Sequence, residues 1–118
     1  MLEPIEVAKL ATWALDTKSA KEVKVLKIED LSTLANYFVI CTANSSTHIK
    51  TLEDELEKVL ESHGEVSRRK EGLRSGGWVL VDYGCVVVHI FQEEIREFYN
   101  LERLWADAEE IEITASPQ

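Results

Sequence analysis

Three histidines, two cysteines and one serine- and threonine-rich loop are the residues of this chain whose types could do chemistry. His48 and His63 fall at opposite ends of one expected helix, about four turns apart, too far to share a metal ion. Neither Cys41 nor Cys85 has a second Cys or a His at metal-ligand spacing. Both lie in or beside apolar segments, which reads as free thiols of a reducing compartment. There is no GxGxxG, no GxxxxGK(S/T) and no HExxH. A Ser–His–acid set could be drawn from Ser45, Ser46, His89 and some carboxylate, but nothing in the spacing selects it. No catalytic residue, metal site or cofactor is expected.

The loop Thr42 to Thr47 is the one phosphate-site candidate. A strand that runs into a helix through small polar residues presents free N–H groups and the positive end of the helix dipole. Ser45 or Ser46 is equally well read as the N-cap that such a helix needs. A nucleotidyl-transfer enzyme built on this loop would also require two or more acids converging on metal ions. The stretch Cys41 to Thr51 contains none.

More is written in the segment from Trp78 to Phe91. With Tyr83-Gly84 as a hairpin loop, Leu80 should face Val87 and Trp78 should face His89. One face then carries Val79, Val81, Val86, Val88 and Ile90, all aliphatic, as a helix layer requires. The other carries Trp78, Leu80, Val87, His89 and Phe91, apolar but with two polar handles. Trp and His among aliphatics suit an interface hot spot, so this second set is the expected partner-binding face. The competing reading has helices over both faces and His89 hydrogen-bonded inside.

These residues need a scaffold, and the apolar periodicity supplies one. Leu2 to Asp16 has Val7, Leu10, Ala11 and Ala14 at helical spacing, with Pro4 in the first turn. The period then drops to two for Val23–Ile28 and Tyr37–Thr42, neighbouring antiparallel strands. Ile49, Leu52, Leu56, Val59 and Leu60 mark a helix that stops at Gly64. Val66 to Gly72 is a polar edge strand. After the hairpin, Ile95, Phe98 and Tyr99 form one stripe and Leu101, Leu104, Trp105 and Ala108 another, rotated from it, with Asn100 as N-cap of the second piece. The order αββαβββαα predicts an α+β fold: a two-layer sandwich of one five-stranded mixed sheet, helices mainly on one face, in a single domain of residues 1–112 with a tail at 113–118.

Composition and charge bound the partners. At 118 residues with 45% hydrophobic content, the chain can bury a core without disulfides or metals. No apolar run approaches a membrane span, and the acidic N-terminus resembles neither a secretory signal nor a transit peptide, so the expected location is cytoplasmic. Thirteen Lys and Arg against 22 Asp and Glu leave −9 at pH 7. Phosphate contacts require a basic surface, and the densest basic stretch, Arg68-Arg69-Lys70 with Arg74 nearby, is flanked by Glu65 and Glu71. No direct nucleic-acid site is expected. A basic protein surface is the better electrostatic match.

The chain resembles the ribosomal silencing factor (Iojap-like) family over about residues 2 to 110. The resemblance is carried by Glu71-Gly72, Gly77-Trp78-Val79-Leu80-Val81-Asp82-Tyr83-Gly84, Val86-Val87-Val88-His89-Ile90-Phe91, Arg96, Phe98-Tyr99, Leu101-Glu102 and Leu104-Trp105, with Asn36 to Ile40, Ser45 and His48 upstream. Asn36 and Cys85 depart from it, standing where the family more often has acids. The resemblance implies a fold akin to nucleotidyltransferases without their catalytic carboxylates. It implies binding to the fourteenth protein of the large ribosomal subunit, a block on subunit joining that represses translation when nutrients are scarce, and a tendency to homodimerise. The alternative is a nucleotide-binding or nucleotidyltransferase-like enzyme working at Thr42 to Thr47.

Overall fold

In the computed structural model, residues 2–73 and 77–113 are described; Arg74 of the basic stretch and all but the first residue of the expected tail lie outside them. The elements run α1 (Pro4–Thr17), β1 (Lys21–Lys27), β2 (Tyr37–Ala43), α2 (Ser46–Ser62), β3 (Arg69–Leu73), β4 (Trp78–Asp82), β5 (Val86–Gln92), α3 (Glu93–Tyr99), α4 (Leu101–Leu104) and β6 (Glu109–Ile111). They form an α+β fold on one mixed sheet in the order β3-β4-β5-β2-β1-β6. Among the described strands β2 and β5 alone pair in parallel; the other neighbours are antiparallel.

Among the described residues the sheet therefore has six strands, not the five expected. The sixth, β6, pairs with β1 through Val25–Ile111 and Lys27–Glu109. Its Glu-Glu-Ile sequence has no strand signature of its own; an already formed edge supplies the pairing. Ile113, placed in the tail by the sequence, packs against the main core.

Local signals fix the ends of the helices. The Glu6 carboxylate accepts the Glu3 N–H at 2.9 Å, closing the first turn of α1 behind Pro4. Ser45 accepts the His48 N–H at 3.1 Å as N-cap of α2. At the other end Gly64, at φ +84°, lets Glu65 N–H reach back to the Leu60 carbonyl at 2.9 Å. Asn100 sits at φ 45° between α3 and α4, and its side chain accepts the Arg103 N–H. The break inferred between the two stripes is thus real.

The helices do not share one face. α1 and α2 cover the face carrying Val25, Val39, Cys41, Val79, Val81, Val86, Val88 and Ile90. On the opposite face Ile95, Leu101 and Trp105, from α3, α4 and the turn after it, pack on Leu26, Phe38, Ile40, Val87 and Phe91. The expectation of helices mainly on one face holds for the two long helices and fails for the two short ones.

Candidate docking face

The second face is assembled from the hairpin and its neighbour β2. In the hairpin Trp78 opposes Phe91, Leu80 opposes His89 and Asp82 opposes Val87. Every pair is two positions away from the expected register, because the connection is longer: Tyr83 N–H donates to the Val86 carbonyl at 2.9 Å, and Gly84 N–H donates to the Asp82 carboxylate at 2.7 Å. A shift of two leaves the side-chain alternation intact. Trp78 and His89 accordingly lie on one face, as the sequence predicts.

Their chemistry is coupled. Trp78 Nε1 donates to His89 Nδ1 at 3.3 Å, which puts the imidazole proton on Nε2. Among the described residues that Nε2 has no hydrogen-bond partner. Burial pushes the His89 pKa down to about 4, so the ring is neutral at physiological pH. Around it stand Phe38 at 4.8 Å between ring centroids and Phe91 at 6.0 Å. Trp78 stacks on Phe91 at 5.0 Å and meets Tyr99 of α3 at 4.9 Å. Trp105 closes the far side, edge-on to Phe38 at 5.6 Å.

Exposure divides the five residues expected to bind a partner. Val87, His89 and Phe91 are buried within the chain itself. Trp78 and Leu80 are half-buried. The expected open face is corrected to that extent. The physical reason is strand order: β5 lies inside the sheet beside β2, and Ile95, Leu101 and Trp105 pack over that central pair. β4 lies one strand further out, and its Trp78 and Leu80 sit at the margin of the same cluster. Ile95, Tyr99, Leu101 and Trp105 are among the residues that the sequence did not assign to the face. Their signal was the pair of rotated stripes, which fixes two helices but not which side of the sheet they cover.

The anchor of that cover is Arg96. Its Nη1 donates to the Glu22 carbonyl and to Thr42 Oγ1, both at 2.8 Å, while Nε and Nη2 grip the Glu102 carboxylate at 3.0 and 3.1 Å. Lys24 Nζ adds a contact to Glu102 at 3.2 Å. The Arg96 hydrogen bonds, aided by Lys24, hold the Glu102 carboxyl below the usual range against the opposing effect of burial. A cavity of about 240 Å³ opens beside this cluster, lined by Glu22, Lys24, Thr42, Arg96 and acids of α3 and α4.

Part of the Thr42–Thr47 loop is already bonded within the chain. Asn44 N–H donates to His48 Nδ1 at 2.8 Å, and His48 Nε2 donates to the Lys18 carbonyl at 2.8 Å. Thr42 is buried and its hydroxyl accepts from Arg96. Two residues of the basic stretch are engaged with acids: Arg69 reaches Asp82 and Lys70 reaches Glu57 at 2.8 Å. Cys41 is buried, its thiol pushed up to about 12 by desolvation, and Cys85 is raised by the same cause; both are free. Among the described residues no group of three or more His, Cys, Asp or Glu is placed to hold a metal ion. None of the described helices is long and apolar enough to cross a membrane.

A family profile described as ribosomal silencing factor during starvation matches residues 2–118. The chain belongs to this family. Among its relatives, the ribosomal silencing factor of Halalkalibacterium halodurans is 41% identical over 108 residues, 92% of each chain, and that of Bacillus subtilis is 39% identical over 86% of each. The chloroplastic protein Iojap of Arabidopsis thaliana is 33% identical over 97% of this chain and 46% of its own length. The fold agrees with solved structures. A Chromobacterium violaceum protein superposes with a TM-score of 0.86 at 31% identity, covering 98% of this chain and 95% of that one. A Bacillus halodurans protein gives 0.80 at 38% identity, with 92% and 99% covered.

Proposed function

We propose that this ribosomal silencing factor represses translation by docking the Trp78–Leu80 margin of its second face on the fourteenth protein of the large ribosomal subunit, so that the small subunit cannot join. Action as a silencing factor follows from family membership; the partner and the surface are the proposal. The observation that carries the surface is the half-buried pair Trp78 and Leu80 at the margin of an otherwise covered aromatic cluster. Val87, His89 and Phe91 flank that pair on the neighbouring strand. An indole with one wet side is a good anchor, because it buries a large area for little rotamer entropy. The charge of −9 suits a basic ribosomal surface.

The reading is non-enzymatic and without a cofactor. In the loop that a nucleotide would use, the Asn44 N–H is taken by His48 and the Thr42 hydroxyl by Arg96, which supports this reading. The chain acts in the cytoplasm as a single domain, with homodimerisation as a second state, and has no direct nucleic-acid site. Sedimentation of purified subunits through sucrose, with and without the protein, tests the reading. The protein should travel with the large subunit and reduce the joined-ribosome peak. If it stays at the top of the gradient, the function is wrong.

A further inference from the structure

α3 and α4 have an outer side as well as an inner one. Inward they supply Ile95 and Leu101 to the second cluster. Outward they leave Phe98 79%, Tyr99 51% and Leu104 72% exposed. Single exposed apolar residues are ordinary, but contiguous large ones mark contact sites. Here the contiguity is visible in the rings: Phe98 meets Tyr99 edge-on at 5.1 Å, and Tyr99 meets Trp78 at 4.9 Å. The aromatic run therefore continues off the strand and onto the helix without a gap.

Two further features say what it fits. The helices are held in place by the Arg96 contacts to Glu22, Thr42 and Glu102, so little conformational freedom remains to be lost on docking. The run is also set in acidic surroundings. Glu93, Glu94, Glu97 and Asp107 are exposed, and Arg103 is the exposed cation between Glu93 and Glu112, since Arg96 is buried. Glu94 precedes Phe98 by one helical turn and lies on its side of α3.

We propose that Phe98, Tyr99 and Leu104 form the second half of the docking face, taking aliphatic groups of a basic protein surface. This rests on the function proposed above and extends its contact from the hairpin to the helices. A second copy of the chain is the poorer occupant, because it would bring like-charged acids together. RNA is poorer still, because the acids repel phosphate.

The test uses the full chain with Phe98→Ser and Leu104→Ser, singly and together, measured for thermal melt, oligomeric state and affinity for the isolated fourteenth large-subunit protein. These side chains point outward, so the melts should stay near wild type. Phe98→Ser should weaken binding on the order of tenfold, and the double variant more. If Trp78→Ala weakens binding while both serine variants stay within about twofold of wild type, the helical half is overturned and the hairpin half survives. Variants that abolish the dimer yet bind normally assign the patch to a second copy and overturn the proposal. Wild-type protein that fails to bind the isolated partner overturns this inference and the partner assignment beneath it.

Discussion

The two faces of the sheet bury comparable strands with different chemistry. Under α1 and α2 the contacts are mostly aliphatic: Val39, Val79, Val81, Val88 and Ile90 meet Leu52, Leu56 and Leu60, nearly all of them fully buried. Under α3 and α4 the contacts are rings with polar tips, namely Trp78, His89, Phe38 and Trp105, and the cover is short. The first face answers mainly to packing, for which branched aliphatics in good rotamers suffice, with Cys41 and Tyr83 as its exceptions. The second holds a buried, neutral imidazole and, beside it, an indole that stays half-buried at the margin of the cover.

The contrast breaks if the helical face proves tolerant. Leu56→Ala removes a fully buried side chain and should cost about 2–5 kcal/mol in urea unfolding, with the affinity of the remaining folded protein unchanged. A stable variant with lost binding would exchange the roles of the two faces.

His89 sharpens the comparison through pH. Its folded pKa of about 4 lies below the ordinary 6.5, so between these values the unfolded chain holds a proton that the folded chain does not. Stability should therefore fall as pH drops from 7 to 5, by on the order of 1–2 kcal/mol from this group. His89→Gln should flatten that slope. Equal slopes in the two proteins would mean that His89 is not held neutral by burial.

How far these features could be read from sequence depends on what determines them. The alternation in Val79–Val88 fixed which residues share a face, and it survived a two-residue error in register because the side-chain period is two. The helix ends at Ser45, Gly64 and Asn100 were legible because each is a local hydrogen-bond or dihedral requirement. Burial of Val87 and Phe91 was not legible, because it follows from β5 taking an interior place beside β2, a pairing between segments far apart in the chain. β6 was missed for the same reason: Glu109-Glu110-Ile111 becomes a strand only against β1. The Arg96 anchor joins positions as distant as Thr42 and Glu102, and single-residue patterns carry no trace of it.

The smallest expected effect is electrostatic. Residues 93–112 hold eight acids against Arg96 and Arg103. Their field should speed encounter with a basic partner and fade as salt shortens the Debye length, about 8 Å at physiological ionic strength. The association rate, read by stopped flow, should fall as salt rises while dissociation changes little. A rate flat across a roughly tenfold salt range would remove the acids from the account.

One variant addresses the central claim, that the second face is where this protein meets its partner. Trp78→Ala, compared with wild type, is to be measured for affinity to the isolated fourteenth large-subunit protein at a temperature where its circular-dichroism melt shows it fully folded. Because the indole also packs on Phe91 and Tyr99, some loss of melting temperature is expected. The account predicts that the folded variant binds roughly thirtyfold more weakly, a loss of about 2 kcal/mol. Wild-type affinity in the folded variant, with only the melt lowered, would make Trp78 a cover for Phe91 and His89 and contradict the docking face.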